Sequence, residues 1–188
     1  MNPAQMTDLD QLCELVQNSF GPNPKTNEIW GKWIKDPSRH VTIARINERL
    51  LGVCASYINE KPDLSKYELF GESALNFLRN QKLGWFLTLA VAPEHRRSRI
   101  GWRLAKEHYV WLKAQGCTAL VGSSWVTGSQ DNSGHMFIKS GFQKLGESQE
   151  FLRNQLKGTG SKCSACLKTE CVCTSVLFGQ HLTNFSDG

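Results

Sequence analysis

The sequence predicts an α/β (α+β) fold, a mixed sheet with helices packed on its faces. Two observations carry that expectation. Runs rich in β-branched and aromatic residues alternate with segments whose apolar residues recur at helical spacing through the middle of the chain. Its composition is globular: of 188 residues, 40% are apolar and six are tryptophan. That length suits a single domain, residues 1–188, with a substantial core.

Residues 7–20, TDLDQLCELVQNSF, read as a helix. Leu9, Leu12, Cys13, Val16 and Phe20 share one face, and Thr7 and Asp10 suit a capping box. A second helix is expected over 26–35, burying Trp30, Trp33 and Ile34 and stopped by Asp36-Pro37. HVTIARINERLLGVCASYI, 40–58, reads as a hairpin turning at Asn47-Glu48. The stretch 59–82 has a weaker pattern, with Pro62 and Asp63 early and a helix near 73–80 that turns Leu75 and Leu78 inward. GWFLTLAVA, 84–92, is the next strand. A helix from 101 to about 115 keeps Leu104, Ala105, His108, Trp111 and Leu112 on one side, and Gln115-Gly116 closes it. Further strands are expected at 117–125, 142–151 and 174–182, with a short helix over 133–142 ended by Gly141. No internal repeat is evident.

The formal charge is +5, and segment 94–116 holds most of it. Arg96, Arg97, Arg99, Arg103, Lys106 and Lys113 stand there against Glu94 and Glu107, a net of +4. A nucleic-acid surface would spread its basic residues over a longer stripe with interleaved aromatics, so no nucleic-acid partner is expected. A ligand carrying a few phosphates needs only a local patch. No positively charged start followed by an apolar run is present, and GWFLTLAVA is too short to span a bilayer. The expected compartment is the cytoplasm, with no membrane partner.

Residues 89–104, LAVAPEHRRSRIGWRL, carry the first functional motif. A strand enters a Pro, an arginine cluster follows, then Ile100-Gly101, and a helix opens at Trp102. Such a turn aims successive N–H groups at one spot, where the orphan donors and positive end of the helix make an anion site. The stretch resembles the acyl-CoA-binding signature of the GNAT N-acetyltransferase superfamily: Val-x-Pro-x-x-Arg, two residues, Gly, x, Gly or Ala, then Leu three residues on. Val91, Pro93, Arg96, Gly101 and Leu104 fall in step, while Arg99 stands at the first glycine. Similarity in element order runs from residue 1 to about 182. The resemblance implies a mixed, mostly antiparallel central sheet of six to seven strands, and acetyl transfer from acetyl-CoA to an amine.

On that resemblance the backbone of Leu89, Ala90 and Val91 pairs with the pantetheine arm, and one N–H polarises the thioester carbonyl. The pyrophosphate rests on N–H groups from Arg97, Ser98, Arg99, Ile100, Gly101 and Trp102, beside Arg96. Asn132 and Phe137 are further cofactor-binding candidates. The family often places a tyrosine four residues before a Gly-Phe pair, as acid for the leaving thiolate. Gly141-Phe142 is present, but the matching position is Phe137. The family's carboxylate on the strand at 83–92 is also missing. Glu68, Glu72 and His135 are therefore the candidates for the general base. Ser123, Ser124 and Trp125 end a strand near the expected acceptor entrance.

The second motif is CSACLKTECVC, 163–173, inside an expected metal-binding loop at 157–173 just before the last strand. Cys163-x-x-Cys166 brings two thiols together in a turn, and Cys171-x-Cys173 points two to one face of an extended segment. Four thiols in eleven residues of a cytoplasmic chain select a metal over disulfides. Four thiolates with no open position select structural zinc over an iron–sulfur cluster. Two rival functions remain: an acyl-CoA-binding domain without catalysis, which Phe137 favours, and a zinc knuckle that docks a partner protein.

Overall fold

A computed structural model describes residues 1–127, 130–131, 133–157, 163, 166 and 168–182. The chain divides into two compact units, Met1–Ile58 with Phe86–Gln115, and Asn59–Trp85 with Gly116–Gly188.

In the first unit, β1 (Asn2–Pro3) pairs antiparallel with β2 (Arg39–Ile46), and β2 pairs antiparallel with β3 (Arg49–Asn59). β4 (Leu83–Val91) is the next strand in order after β3. The hairpin turns at Asn47-Glu48 as expected, with Asn47 in the left-handed region at φ 53°. Strand alternation explains why β2 and β3 are buried almost continuously: they are covered on both faces. Val41, Ile43, Val53 and Ala55 pack with Leu12, Leu15 and Trp30, which come from α1 (Leu9–Phe20) and α2 (Thr26–Lys35). Ala44 and Cys54 face the other way, onto Leu104, Phe86, Leu89 and Ile100. Leu104 and Ile100 belong to α4 (Ile100–Ala114).

The start of the first helix differs from the capping box expected at Thr7 and Asp10. A 3-10 turn, Met6–Asp8, precedes α1, and the Asp8 carboxylate accepts from the Gln5 N–H at 2.8 Å. Asp8 also pairs with Arg45 of β2, which draws it inward and fixes the cap two residues early.

In the second unit a 3-10 segment, Leu64–Phe70, and α3 (Glu72–Leu78) precede the strands. β5 (Ala119–Thr127) pairs antiparallel with β8 (Thr174–His181), and β8 pairs with β7 (Gln143–Ser148). A short β6 (Gln130–Asp131) lies on β5, and α5 (Gly134–Lys139) stands between β6 and β7. The strand expected over 142–151 stops at Ser148. The Ser148 hydroxyl accepts from the N–H groups of Glu150 and Phe151, at 3.2 Å each, and so starts α6 (Glu150–Leu156). Among the described residues no helix is long and apolar enough to cross a membrane.

Candidate active site and cysteine cluster

β4 runs out through Ala92, whose N–H donates to the Leu51 carbonyl at 2.8 Å. Pro93–His95 form one 3-10 turn, and Arg96 returns to extended backbone with its Nε donating to the Val91 carbonyl at 3.2 Å. Arg97 and Arg99 then adopt left-handed backbone, φ 62° and 65°, with Ser98 between them. The Ser98 hydroxyl donates to the His95 carbonyl. Arg103 N–H reaches Arg99 O at 3.0 Å, the first such bond of the helix start. Among the described residues, no N–H from Arg97 to Trp102 is taken up by a backbone carbonyl. Left-handed residues alternating with ordinary ones turn successive N–H groups into one concavity, and the positive end of α4 adds to it. For a residue with a side chain that backbone costs about 1–2 kcal/mol.

The side chains of Arg96, Arg97, Arg99 and Arg103 are exposed around this turn. Glu94, one of the few acidic groups nearby, is tied to Arg49. Trp102 is exposed, with Lys106 Nζ 5.7 Å from its ring centroid. A Cβ on Gly101 would meet Val91 Cγ2 at 3.5 Å and Leu89 Cδ2 at 3.8 Å, so a methyl fits there and little more. At Gly52 a Cβ would meet Ala90 O, Ile100 Cγ2 and Leu104 Cδ1 at 3.1 Å each. The bare backbone of Gly52 is what lets the start of α4 sit so close to β3.

Behind the turn, α4 carries a buried polar network that the sequence did not single out. His108 is fully buried, with Nε2 2.8 Å from Thr42 Oγ1 and Nδ1 2.8 Å from Ser56 Oγ. Burial, reinforced by the neighbouring His40, lowers its pKa from 6.5 to about 3. His40 stacks on Trp111 at 4.7 Å and lies 3.5 Å from the Glu107 carboxylate. The helical pattern placed His108 on the inward face correctly. The hydroxyls that receive it sit on inward positions of β2 and β3, where Thr and Ser among apolar residues were the available signal.

The remaining candidates lie in the second unit. Glu68 is exposed within the 3-10 segment, and Glu72 is exposed in the first turn of α3. His135 is exposed on α5. Phe137 is 7% exposed and stacks on Phe178 at 5.0 Å, edge-on to Phe142 at 5.2 Å. Ser124 is buried and Ser123 and Trp125 are partly buried on β5. Asn132 lies outside the described residues.

Cys163, Cys166, Cys171 and Cys173 come together, with all four Sγ atoms within 4.8 Å of one another. Cys163 and Cys173 are 3.8 Å apart, and Cys166 and Cys171 4.0 Å. A disulfide needs about 2.05 Å. A tetrahedron built on Zn–S bonds of about 2.3 Å has edges of about 3.8 Å, which these two separations approach, while the widest in the cluster is up to 4.8 Å. Cys163, Cys171 and Cys173 are buried, and Trp125 and Leu152 pack against the cluster. The Cys163 N–H donates to Lys168 O at 2.9 Å, and Arg153 Nε donates to Cys171 O at 3.3 Å. Arg153 was not anticipated, since the strand was expected to run to 151 and residues 152–156 carried no expected element. The other three cysteines, Cys13, Cys54 and Cys117, are buried, and burial raises each thiol pKa.

The sequence profile of the acetyltransferase (GNAT) family matches residues 5–142. No curated protein matches the sequence significantly. Among solved structures, the ribosomal-protein-S18-alanine N-acetyltransferase of Escherichia coli superposes with a TM-score of 0.65 at 10% identity, covering 100% of this chain and 96% of that one. The aminoglycoside antibiotic 6'-N-acetyltransferase AAC(6')-IG of Acinetobacter haemolyticus gives 0.60 at 20% identity, over 77% and 92% of the two chains. An aminoglycoside 6'-N-acetyltransferase complexed with coenzyme A gives 0.60 at 13% identity, over 96% and 94%. These likenesses establish the expected fold class. With the profile spanning most of the chain, the protein belongs to the acetyltransferase (GNAT) family.

Proposed function

We propose that this protein is an N-acetyltransferase that moves an acetyl group from acetyl-CoA to a primary amine by direct attack in a ternary complex. The observation that carries this reading is the turn from Arg97 to Trp102. Its N–H groups lack backbone acceptors among the described residues, two of its residues are left-handed, and four arginines surround it. That donor set suits a pyrophosphate, which takes charge-assisted hydrogen bonds from backbone and guanidinium together. The main chain of Leu89, Ala90 and Val91 would pair with the pantetheine arm and hold the thioester carbonyl near an N–H.

In the proposed reaction a base takes one proton from the acceptor ammonium, directly or through water. The freed nitrogen lone pair attacks the thioester carbonyl, a tetrahedral oxyanion forms, and its collapse breaks the carbon–sulfur bond. The departing thiolate takes a proton from solvent, since Phe137 has none to give. Glu72, Glu68 and His135 are the candidates for the base. The four-cysteine cluster is proposed to hold one structural zinc, and the cytoplasm is the proposed compartment.

Calorimetry with acetyl-CoA, followed by thiol release over a panel of primary amines, tests the reading. Binding with turnover on at least one amine supports it. Binding without turnover on any amine would instead favour a silent acyl-CoA-binding domain, the reading that the buried phenyl ring of Phe137 supports. Absence of binding removes the assignment.

A further inference from the structure

We infer that metal held by the cysteine cluster fixes the segment Leu64–Phe70 through α6, so that metal occupancy sets recognition of the amine acceptor. This rests on the zinc and acetyl-transfer readings above and adds a mechanical link between the cluster and one segment of the second unit. α6 has only seven residues, far fewer than the roughly 12–15 an isolated helix needs to be even marginal in water. Its existence therefore depends on what it packs against. On one side Leu152 lies on the cysteine cluster, and the neighbouring Arg153 donates to the Cys171 carbonyl at 3.3 Å. On the other side Phe151 packs on Phe70 at 4.7 Å and on Tyr67 at 6.5 Å. Tyr67 in turn stacks on Trp85 at 5.6 Å.

β7 completes the clamp. A Cβ on Gly146 would lie 2.0 Å from the Phe70 carbonyl oxygen, so the segment is seated directly on bare backbone. β7 pairs with β8 as far as Ser148↔Ser175, and Cys173 runs straight into β8 at Thr174. Besides α3 and Trp85, Leu64–Phe70 thus rests on α6 and β7, which both lead back to the cluster. Four thiols without metal offer little cohesion, and four thiolates without metal repel one another. Loss of the ion therefore removes the floor under α6, and Phe151 no longer holds Tyr67 and Phe70. Glu68, a base candidate, lies within the segment, and Glu72 follows it by two residues. The Arg97–Trp102 turn belongs to the other unit.

The test uses the full-length protein as purified. Zinc is counted by inductively coupled plasma mass spectrometry, then stripped with a chelator, and hydrogen exchange is followed in both forms. Metal-free protein is expected to exchange more than about tenfold faster in Leu64–Phe70 and Glu150–Leu156. Its kcat/KM for the amine should fall up to roughly 100-fold, the scale of an ångström of misplacement. The dissociation constant for acetyl-CoA should stay within about twofold of the loaded protein's. Leu152→Ala provides a second arm, because it keeps all four cysteines. One zinc per chain with faster exchange in Leu64–Phe70 supports the link. One zinc per chain with unchanged exchange there overturns it, even where the stripped protein leaves solution. Equal losses of coenzyme and amine affinity on stripping also overturn it. A protein that neither contains zinc nor takes it up brings down the zinc reading and this inference together. Failure to bind acetyl-CoA brings down the acetyl-transfer reading, while the exchange data still decide whether metal holds the segment.

Discussion

Lowering the pH from 7 to 5 should cost the folded protein about 2 kcal/mol through His108 alone. The imidazole has a pKa of about 3 in the fold, against 6.5 for an unperturbed histidine. Burial is the first cause, because a charged ring would lose its hydration between β2, β3 and α4, and the neighbouring His40 is the second. The sign follows from the depressed folded value. His108 is neutral in both states above pH 6.5, so nothing is lost there. As the pH falls below 6.5 the unfolded chain binds a proton that the native protein refuses, and stability declines until about pH 3. At about 1.36 kcal/mol per pH unit the whole effect approaches roughly 5 kcal/mol, of which about 2 falls between pH 7 and 5. His40, Glu107 and Cys54 are the other ionisable groups close to this site. His108→Gln removes the titration while keeping a donor and an acceptor for Thr42 and Ser56. Urea unfolding of both proteins at pH 7, 6 and 5 isolates the His108 contribution as the difference between their slopes. Parallel stability curves for wild type and variant would refute the reasoning.

Arg99→Gly should stabilise the protein by about 0.5–1 kcal/mol, since relief of the left-handed backbone exceeds the added freedom of the unfolded chain. Thermal denaturation would show this as a rise of about 2 °C, and a fall would contradict it. Gly146→Ala should destabilise by about 3 kcal/mol, because its Cβ would sit 2.0 Å from the Phe70 carbonyl oxygen, and the same thermal assay reads it. Gly101→Ala should retain acetyl-CoA affinity within about twofold, whereas Gly101→Leu should weaken it at least tenfold by forcing the start of α4 off β4. Equal affinities of the two variants in calorimetry would break that argument.

Periodicity made most of the fold legible. The hairpin at 40–58 and the helix that became α4 were plain because β-branched runs and a long apolar stripe leave little ambiguity. The two misread places share a cause, a short polar cap acting over two or three residues. Asp8 caps Gln5 and Ser148 starts α6, each by a side-chain oxygen accepting backbone N–H groups. The 3-10 segment Leu64–Phe70 likewise begins where Asp63 accepts from the Ser65 N–H and hydroxyl. Such local bonds have no period to detect, although Ser-Gln-Glu and Asp-Leu-Ser were present as signals. The arginine-rich turn before Trp102 and the four cysteines were visible because the chemistry proposed for them requires fixed spacing. The base was not, because an exposed carboxylate such as Glu68 looks the same in sequence whether or not it meets a substrate.

The burial of Cys13, Cys54 and Cys117 gives the intact protein a built-in readout. Each of these thiols is held inside the packed core, so once a chelator has loosened the cluster a thiol-specific dye added to folded protein has only Cys163, Cys166, Cys171 and Cys173 to label. Saturating zinc should silence the dye, and a chelator should release a signal of four sulfhydryls per chain. Occupancy can then be followed in real time on unmodified material, without unfolding it and without any knowledge of the acceptor.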